Sequence, residues 1–230
     1  MVALRDEVGL GPNRFQAVVF DLDGTLLDTL PDLVLLTNST LEEFGFPPRT
    51  ADEIHSFVGN GVRPLVTQAV PEGTSDETIE AILGRWKSLY SVLGNKLTRP
   101  YPGVVELATE LRARQVVTGV LSNKFEQGVI DCVGEYLPGL FEVVHGERDG
   151  IPRKPDPEGL RLVLAELGCD ASKSAYVGDS PTDIACAHRA GCFAIGVSWG
   201  YHDASELREA GADAVVEHPL DILVLNDSAA

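Results

Sequence analysis

The sequence predicts a doubly wound parallel α/β sheet that carries a small all-helical insert, and three observations support this. Short apolar runs of strand length recur at residues 17–20, 116–121, 141–144, 174–177, 193–197 and 214–216. Helical patterns separate them, and alternating strand and helix is the signature of a parallel sheet covered on both faces. Between about Pro31 and Asn95 the alternation stops, and helical patterns follow one another with no convincing strand.

The run at 17–20, Ala-Val-Val-Phe, follows Pro12 and Asn13 and reads as a buried strand. It leads directly into Asp21-Leu22-Asp23-Gly24-Thr25. Side chains two apart on a strand point the same way, so an extended backbone past Phe20 would bring both carboxylates to one spot. That spot is the strand's carboxyl end, where open α/β sheets bind ligands. Gly24 permits a sharp turn or a close approach to a ligand. The plain alternative is an acidic turn, since Asp and Gly are ordinary turn residues.

Residues 31–44 are helically periodic and end at Gly45. Thr50-x-x-Glu53 reads as a capping box before a short helix. A third helix is expected from about Pro64 to Val70. Thr74-x-x-Glu77 precedes a longer one through Ile79, Ile82, Trp86, Leu89 and Leu93, which ends at Gly94. An insert placed straight after the first strand sits beside that strand's carboxyl end and is positioned to cover the site. Residues 27–30 and 98–103 read as its linkers. The expected organisation is a discontinuous core of residues 14–30 and 99–228, an insert of residues 31–98, and an N-terminal extension of residues 1–13 that is mobile, like the last few residues. Downstream, residues 102–114 present a broad apolar helical face. Residues 157–167 follow an Asp-Pro start and stop at Gly168, and residues 181–190 stop at Gly191.

Composition narrows the partners. The 230 residues are 44% hydrophobic and 23% charged, ordinary values for a packed globular chain. No apolar stretch approaches the roughly 20 residues of a membrane helix, and the acidic start does not resemble a signal peptide, so a cytoplasmic location is expected. The net charge of −17 repels nucleic acid and anionic lipid. It also repels a phosphate ester, unless the site carries its own positive charge. Cys132, Cys169, Cys186 and Cys192 show no metal-binding spacing and read as free thiols.

Three further polar clusters lie after strands or in punctuated loops: Ser122-Asn123-Lys124, Lys154 within Pro152-Arg153-Lys154-Pro155-Asp156-Pro157, and Gly178-Asp179-Ser180-Pro181-Thr182-Asp183. In parallel strands the first and third open on the same edge as Asp21. Asp21, Asp23, Asp179 and Asp183 would then share one crevice. Each like-charge contact near 4 Å costs about 4 kcal/mol at an effective dielectric of 20. One lysine does not offset that, so the cluster calls for proton uptake or a hard divalent cation, and an oxygen-only donor set suits Mg²⁺. Taken singly, Asp183 reads equally well as a helix cap, Ser122 as a turn residue and Lys154 as a solvated side chain. Lys124 is a rival phosphate-binding lysine, ranked below Lys154.

Together and in order, Asp21-Leu22-Asp23-Gly24-Thr25, Ser122, Lys154 and Gly178-Asp179-Ser180-x-x-Asp183 resemble the four motifs of the haloacid dehalogenase-like hydrolase superfamily, over nearly the whole chain from about Arg14. The helical insert between the first two motifs is similar to that family's C1 cap. The resemblance implies a Rossmann-like core and Mg²⁺-dependent phosphoryl transfer. It makes Asp21 the nucleophile that forms an aspartyl-phosphate, and Asp23 the general acid and base. It places Mg²⁺ on Asp21, on the backbone carbonyl of Asp23 and on Asp179, with Asp183 in support. Ser122 and Lys154 would hold the phosphoryl oxygens, beside Gly24, Thr25 and Asn123.

Asp23 argues against the family's dehalogenases, which lack that second acid. Lys87 and Lys96 lie too late in the insert for the Schiff-base lysine of phosphonoacetaldehyde hydrolases. The insert's clue to specificity is Gly59-Asn60-Gly61-Val62-Arg63. Its backbone N–H groups can turn toward the site, and Arg63 can pair with an anionic group beyond the phosphate. A tight helix–helix turn with a surface arginine is the plain alternative. With Ser198-Trp199-Gly200-Tyr201, the segment is similar to bacterial phosphoglycolate phosphatases. The expected substrate is a small phosphorylated metabolite, 2-phosphoglycolate first, turned over by a monomer or homodimer. A β-phosphoglucomutase-like transferase, a phosphatase or pyrophosphatase for another small substrate, and more remotely a receiver-type signalling domain remain as alternatives.

Overall fold

The computed structural model describes residues 13–227. The expected N-terminal extension and the last few residues lie almost wholly outside the described residues. In chain order the elements are β1 (Ala17–Phe20), β2 (Leu27–Asp28), α1 (Leu30–Glu43), α2 (Ala51–Phe57), α3 (Val62–Ala69), α4 (Asp76–Leu93), β3 (Arg99–Pro100), α5 (Val104–Ala113), β4 (Val117–Phe125), α6 (Glu126–Tyr136), β5 (Val143–Glu147), α7 (Glu158–Leu167), β6 (Ser174–Gly178), α8 (Pro181–Ala190), β7 (Phe193–Val197), α9 (Ala204–Glu209), β8 (Ala214–Val216) and α10 (Asp221–Asp227). None of the described helices is long and apolar enough to cross a membrane.

The main sheet is parallel throughout, in the order β5-β4-β1-β6-β7-β8. From β1 the chain winds outward through β4 and β5, then returns to β1's other side for β6, β7 and β8. The winding therefore reverses at β1, and the crevice beyond its carboxyl end is the ligand position of a doubly wound sheet. The strand is buried on both faces because its alternate residues enter different cores. Val18 and Phe20 pack with Leu107, Leu111, Val129 and Ile222. Ala17 and Val19 pack with Leu160, Val163, Ile184 and Leu207.

The insert has its own core, which includes Leu36, Leu41, Ile54, Leu65, Ile82 and Trp86 from α1 to α4. It joins the sheet domain through two short crossings that read as linkers from sequence. They pair instead as the antiparallel ribbon β2–β3, Leu27 against Pro100 and Asp28 against Arg99. Two-residue strands rich in Pro and charge leave no periodic signal. Asp32, 6% exposed at the start of α1, ties the ribbon's return side down. Its Oδ2 accepts from Leu97 N at 2.9 Å, Thr98 N at 2.6 Å and Thr98 Oγ1 at 2.8 Å.

Several boundaries differ from expectation. β4 does not stop at Leu121 but runs to Phe125, with a register shift between those residues, so Ser122, Asn123 and Lys124 lie within the strand. Their polarity hides them from a search for apolar runs, and the irregularity re-aims them at the strand's end. β5 begins at Val143, because Phe141 is used beforehand to pack edge-on against Phe20. The capping box at Thr50 forms as expected. In the longer cap helix the N-cap is Ser75, which accepts from Thr78 N, while Thr74 bonds Pro71 O instead. α3 starts at Val62, two residues early, with Pro64 in its first turn where no intrahelical donor is lost. α6 follows β4 without a break and had no separate sequence signal.

Asp32→Ala leaves the buried Thr98 hydroxyl and the part-buried Leu97 N–H without an acceptor, while Thr98 N keeps Asn95 O at 3.2 Å. The expected cost is on the order of 2 kcal/mol, a fall of about 4–8 °C in Tm for a chain of this size. Thermal and urea unfolding check it; a change within about 0.5 kcal/mol would show that the hinge does not depend on this carboxylate.

Candidate active site

The carboxyl ends of β1, β4 and β6, the loop holding Lys154 and the loop after β7 meet under the cap around a cavity of about 300 Å³. Asp21, the first residue past β1, is 8% exposed. Asp179 follows β6 directly and is 2% exposed, and Asp183 on the first turn of α8 is 1% exposed. Each of the three places a carboxylate oxygen within 4.8 Å of the others. Asp183 caps its own helix, its Oδ2 accepting from Ser180 N and Oγ at 3.1 and 2.6 Å, and the same carboxylate belongs to the cluster. Asp179 Oδ1 accepts from Thr25 Oγ1 at 3.1 Å and Oδ2 from Tyr201 N at 2.7 Å.

Lys154 supplies the positive charge, its Nζ lying 2.8 Å from Asp21 Oδ1 and 2.7 Å from Asp183 Oδ1. Burial opposes the lysine's charge, but the Asp183 and Asp21 carboxylates outweigh it and hold its pKa well above the ordinary range. For Asp21, burial outweighs the lysine and, with repulsion from Asp183 and Asp179, pushes the carboxyl up to about 8. Burial, then Asp183, pushes Asp179 up to about 7. The Lys154–Asp21 contact has the distance of an ion pair but not the angles of a hydrogen bond, and Asp21 Oδ1 is a buried oxygen that accepts none. A buried acceptor without a donor, within an all-oxygen set that resists ionising, suits a hard divalent cation.

Residues 18–197 match the family described as haloacid dehalogenase-like hydrolase. The chain belongs to that family. A Pseudomonas aeruginosa protein named phosphoglycolate phosphatase 1 is 34% identical over 220 residues, which cover 93% of this chain and 80% of the relative. N-acetylmuramic acid 6-phosphate phosphatase of the same organism is 32% identical over 222 residues, 94% of this chain and 96% of the relative. The crystal structure of a predicted phosphoglycolate phosphatase from Haemophilus somnus superposes with a TM-score of 0.87 at 27% identity, covering 94% of this chain and 99% of the other. These relatives are phosphatases, and so is this chain.

The two aspartates of the first motif both line the cavity, as the sequence predicts, but only Asp21 joins the cluster of three carboxylates. β1 ends at Phe20, and the backbone then turns, with Thr25, Leu26 and Leu27 N–H groups all directed at Leu22 O. Asp23 therefore lies outside the carboxylate cluster. Its Oδ1 accepts from Thr29 Oγ1 at 2.7 Å and from Lys124 Nζ at 3.2 Å. Lys124, ranked second as a phosphate lysine, is thus the counter-ion of Asp23. Gly24 has φ +80°, and a side chain there would overlap the Asp179 carboxylate. Ser122 Oγ accepts from Lys124 N at 3.2 Å and keeps its proton for a group in the cavity. Thr25 and Asn123, expected at the phosphate, use their side chains on the protein. Thr25 holds Asp179, and Asn123 clamps Lys154 through Lys154 N at 2.9 Å and Lys154 O at 3.2 Å.

On the cap side, Gly59, Asn60 and Gly61 line the cavity. Asn123 Nδ2 donates to Gly59 O at 3.0 Å and Arg153 Nη1 to Asn60 O at 3.1 Å, so the loop meets the core through its carbonyls. Arg63 does not line the cavity; it is half exposed and ion-paired with Glu80 on α4. As the second residue of α3 it points away from the loop, toward Glu80 on α4. His55, Trp86 and Tyr201 also line the cavity. The first two lie among ordinary helical positions and offered no signal, and Tyr201 stood out only within Ser198-Trp199-Gly200-Tyr201.

The raised carboxyls predict a pH-dependent stability in metal-free protein. Above its unfolded value of 3.8, each binds protons more tightly folded than unfolded. The resulting stabilisation is complete below that value and is lost as pH rises through about 7 and about 8. Asp21→Asn removes one of these charges. In EDTA its Tm advantage over wild type is expected to widen from pH 5 to pH 8 by on the order of 5 °C. Scanning fluorimetry across that range checks it, and a constant difference would contradict the assigned burial of charge.

Proposed function

We propose that the chain is a Mg²⁺-dependent phosphomonoester hydrolase that works through a phosphorylated Asp21. The observation that carries this reading is Asp21 Oδ1, a buried oxygen that accepts no hydrogen bond and is flanked by Lys154 and the Asp179–Asp183 pair at the sheet's switch point. Lys154 and Ser122 draw the phosphoryl group's oxygens toward Asp21. In the first transfer the Asp21–phosphorus bond forms as the ester bond breaks, and Asp23 gives a proton to the departing alkoxide. In the second, Asp23 takes a proton from water as the water oxygen bonds to phosphorus, and the Asp21–phosphorus bond breaks to release phosphate. Asp21, Asp179 and the backbone carbonyl of Asp23 would hold Mg²⁺, with Asp183 steadying Lys154 behind them. The ion, when bound, supplies charge neutralisation for the carboxylates and the phosphoryl oxygens.

For the substrate, relatives named for phosphoglycolate support 2-phosphoglycolate. A second reading has a specific observation behind it. The cavity of about 300 Å³ is lined on the cap side by Leu33, Val58, Val62, Leu65 and Trp86, more room and apolar surface than a two-carbon acid uses. A sugar phosphate such as N-acetylmuramic acid 6-phosphate, for which another relative is named, fits that lining. Comparing kcat/KM on the two esters separates the readings.

Three outcomes are expected. Asp21→Asn lowers phosphate release to below about a thousandth of wild type while the fold persists by circular dichroism; substantial Mg²⁺-dependent turnover in this variant would refute the nucleophile. Millimolar Mg²⁺ raises the Tm of wild type more at pH 8 than at pH 5, where protons compete for the same oxygens, and raises that of Asp179→Asn far less. Arg63→Ala, because the side chain faces Glu80, changes the kcat/KM ratio of 2-phosphoglycolate to a neutral phosphate ester by less than about threefold; a tenfold loss confined to phosphoglycolate would restore Arg63 as the carboxylate's partner.

A further inference from the structure

Tyr201 makes three contacts that the catalytic roles above leave unexplained. Its N–H holds Asp179 Oδ2 at 2.7 Å. Its phenol oxygen lies 3.1 Å from Thr29 Oγ1, and that hydroxyl lies 2.7 Å from Asp23 Oδ1. Its ring meets the His55 imidazole of the cap edge-on, with centroids 5.1 Å apart and planes at 88°. One core side chain thus reaches the hinge, the cap and, through one hydroxyl, the proposed acid.

The chain has a direction. Thr29 has one hydroxyl proton, and the bond to Asp23 uses it, so the phenol is the donor to Thr29. Thr29 is 1% exposed, which gives its hydroxyl little chance of a water partner instead. Among the described residues, the side-chain donors to Asp23, Thr29 and Lys124, both reach Oδ1. Two donors on one oxygen fix the carboxyl's rotation and leave Oδ2 as the oxygen that presents a proton to the cavity.

We propose that Tyr201, acting through Thr29, is a positioning residue that orients Asp23 Oδ2 toward the leaving-group oxygen. The inference rests on the phosphatase reading above. No proton travels along the tyrosine–threonine chain. During the first transfer the proton on Asp23 Oδ2 passes to the departing oxygen as the ester bond breaks, and Asp23 becomes a carboxylate. The chain only fixes where that proton stands, and His55 packs the phenol ring in place from the cap side.

Leaving-group dependence separates positioning from a merely structural role. An alkoxide needs the proton as it departs, whereas p-nitrophenolate leaves without one. The quantity kcat/KM ends at the first irreversible step, so later hydrolysis of the phosphorylated enzyme does not enter it. The experiment measures kcat/KM for an alkyl ester that the wild type hydrolyses, 2-phosphoglycolate or a hexose 6-phosphate, and for p-nitrophenyl phosphate, in wild type, Tyr201→Phe, Thr29→Val and Thr29→Ser. The alkyl-to-aryl ratio is expected to fall about tenfold in Tyr201→Phe and in Thr29→Val, and to stay within about threefold of wild type in Thr29→Ser, which keeps the hydroxyl. A ratio unchanged in both Tyr201→Phe and Thr29→Val, whether through equal loss on the two esters or no loss on either, overturns the proposal. Wild type that releases phosphate from neither ester overturns the phosphatase reading, and the inference with it.

Discussion

Everything in the site follows from three carboxylates buried within contact distance of one another around a single ammonium. In water such a cluster is unremarkable. Under the cap, with Asp179 and Asp183 almost wholly enclosed, the repulsion is only partly screened, and among the described residues Lys154 is the cation in contact with two members, Asp21 and Asp183. The protein places that lysine by backbone means. Asn123 holds both Lys154 N and Lys154 O, so the ammonium's position is set from β4 and not by a flexible loop. One ammonium between two carboxylates still leaves a third charge and an orphan oxygen. That residual imbalance would be relieved by a divalent cation, and a cation there would in turn offset the charge of an anionic group brought beside it.

The same electrostatics explain why Asp23 stands apart. A fourth carboxylate in the cluster would raise every neighbour's cost of ionising. The turn after Phe20 directs Asp23 to its own cation, Lys124, and its own hydroxyl, Thr29, so two residues of one motif have separate environments. Separate environments are what an enzyme needs when one carboxylate must attack and the other must exchange a proton. Lys124 comes from the irregular end of β4, next but one to Ser122. A single strand end thereby presents one side chain to the cavity beside Asp21 and another to Asp23.

The sheet and the site's core were legible in the sequence because both depend on local signals. Buried parallel strands leave apolar runs, and the segments at their carboxyl ends carry Asp, Gly, Ser and Thr at positions 21–25, 122 and 178–183. What stayed hidden depends on long-range pairing or on turns of the backbone. The β2–β3 ribbon pairs Leu27 with Pro100, far apart in sequence and without periodicity. The continuation of β4 through Ser122 to Phe125 is polar and irregular, so it does not look like a strand. Asp21 and Asp23 reach the same cavity, yet the strand ends at Phe20 and the turn that closes on Leu22 O, which no periodicity announces, gives Asp23 different partners. Arg63 illustrates the same limit on a helix: its place beside a Gly-Asn-Gly turn is visible, but its direction is fixed by the early start of α3 and by Glu80.

The cap's hold on the core is made by main-chain acceptors. Gly59 O and Asn60 O dock on Asn123 Nδ2 and Arg153 Nη1, and a side chain at position 61 would crowd the Arg153 guanidinium. Contacts of this kind do not depend on which side chains the loop presents, so the docking leaves the residues around it, Val58, Val62 and Leu65 among them, free to line the cavity. Asn123 also ties that closure to the chemistry, because the amide that receives the cap carbonyl is the one that clamps Lys154. Displacing the cap loop removes one of the partners that orient Asn123, and the lysine's backbone anchor loosens with it. A cap built this way separates two tasks. The main chain docks the loop on the core, and the apolar side chains beside it line the cap side of the cavity.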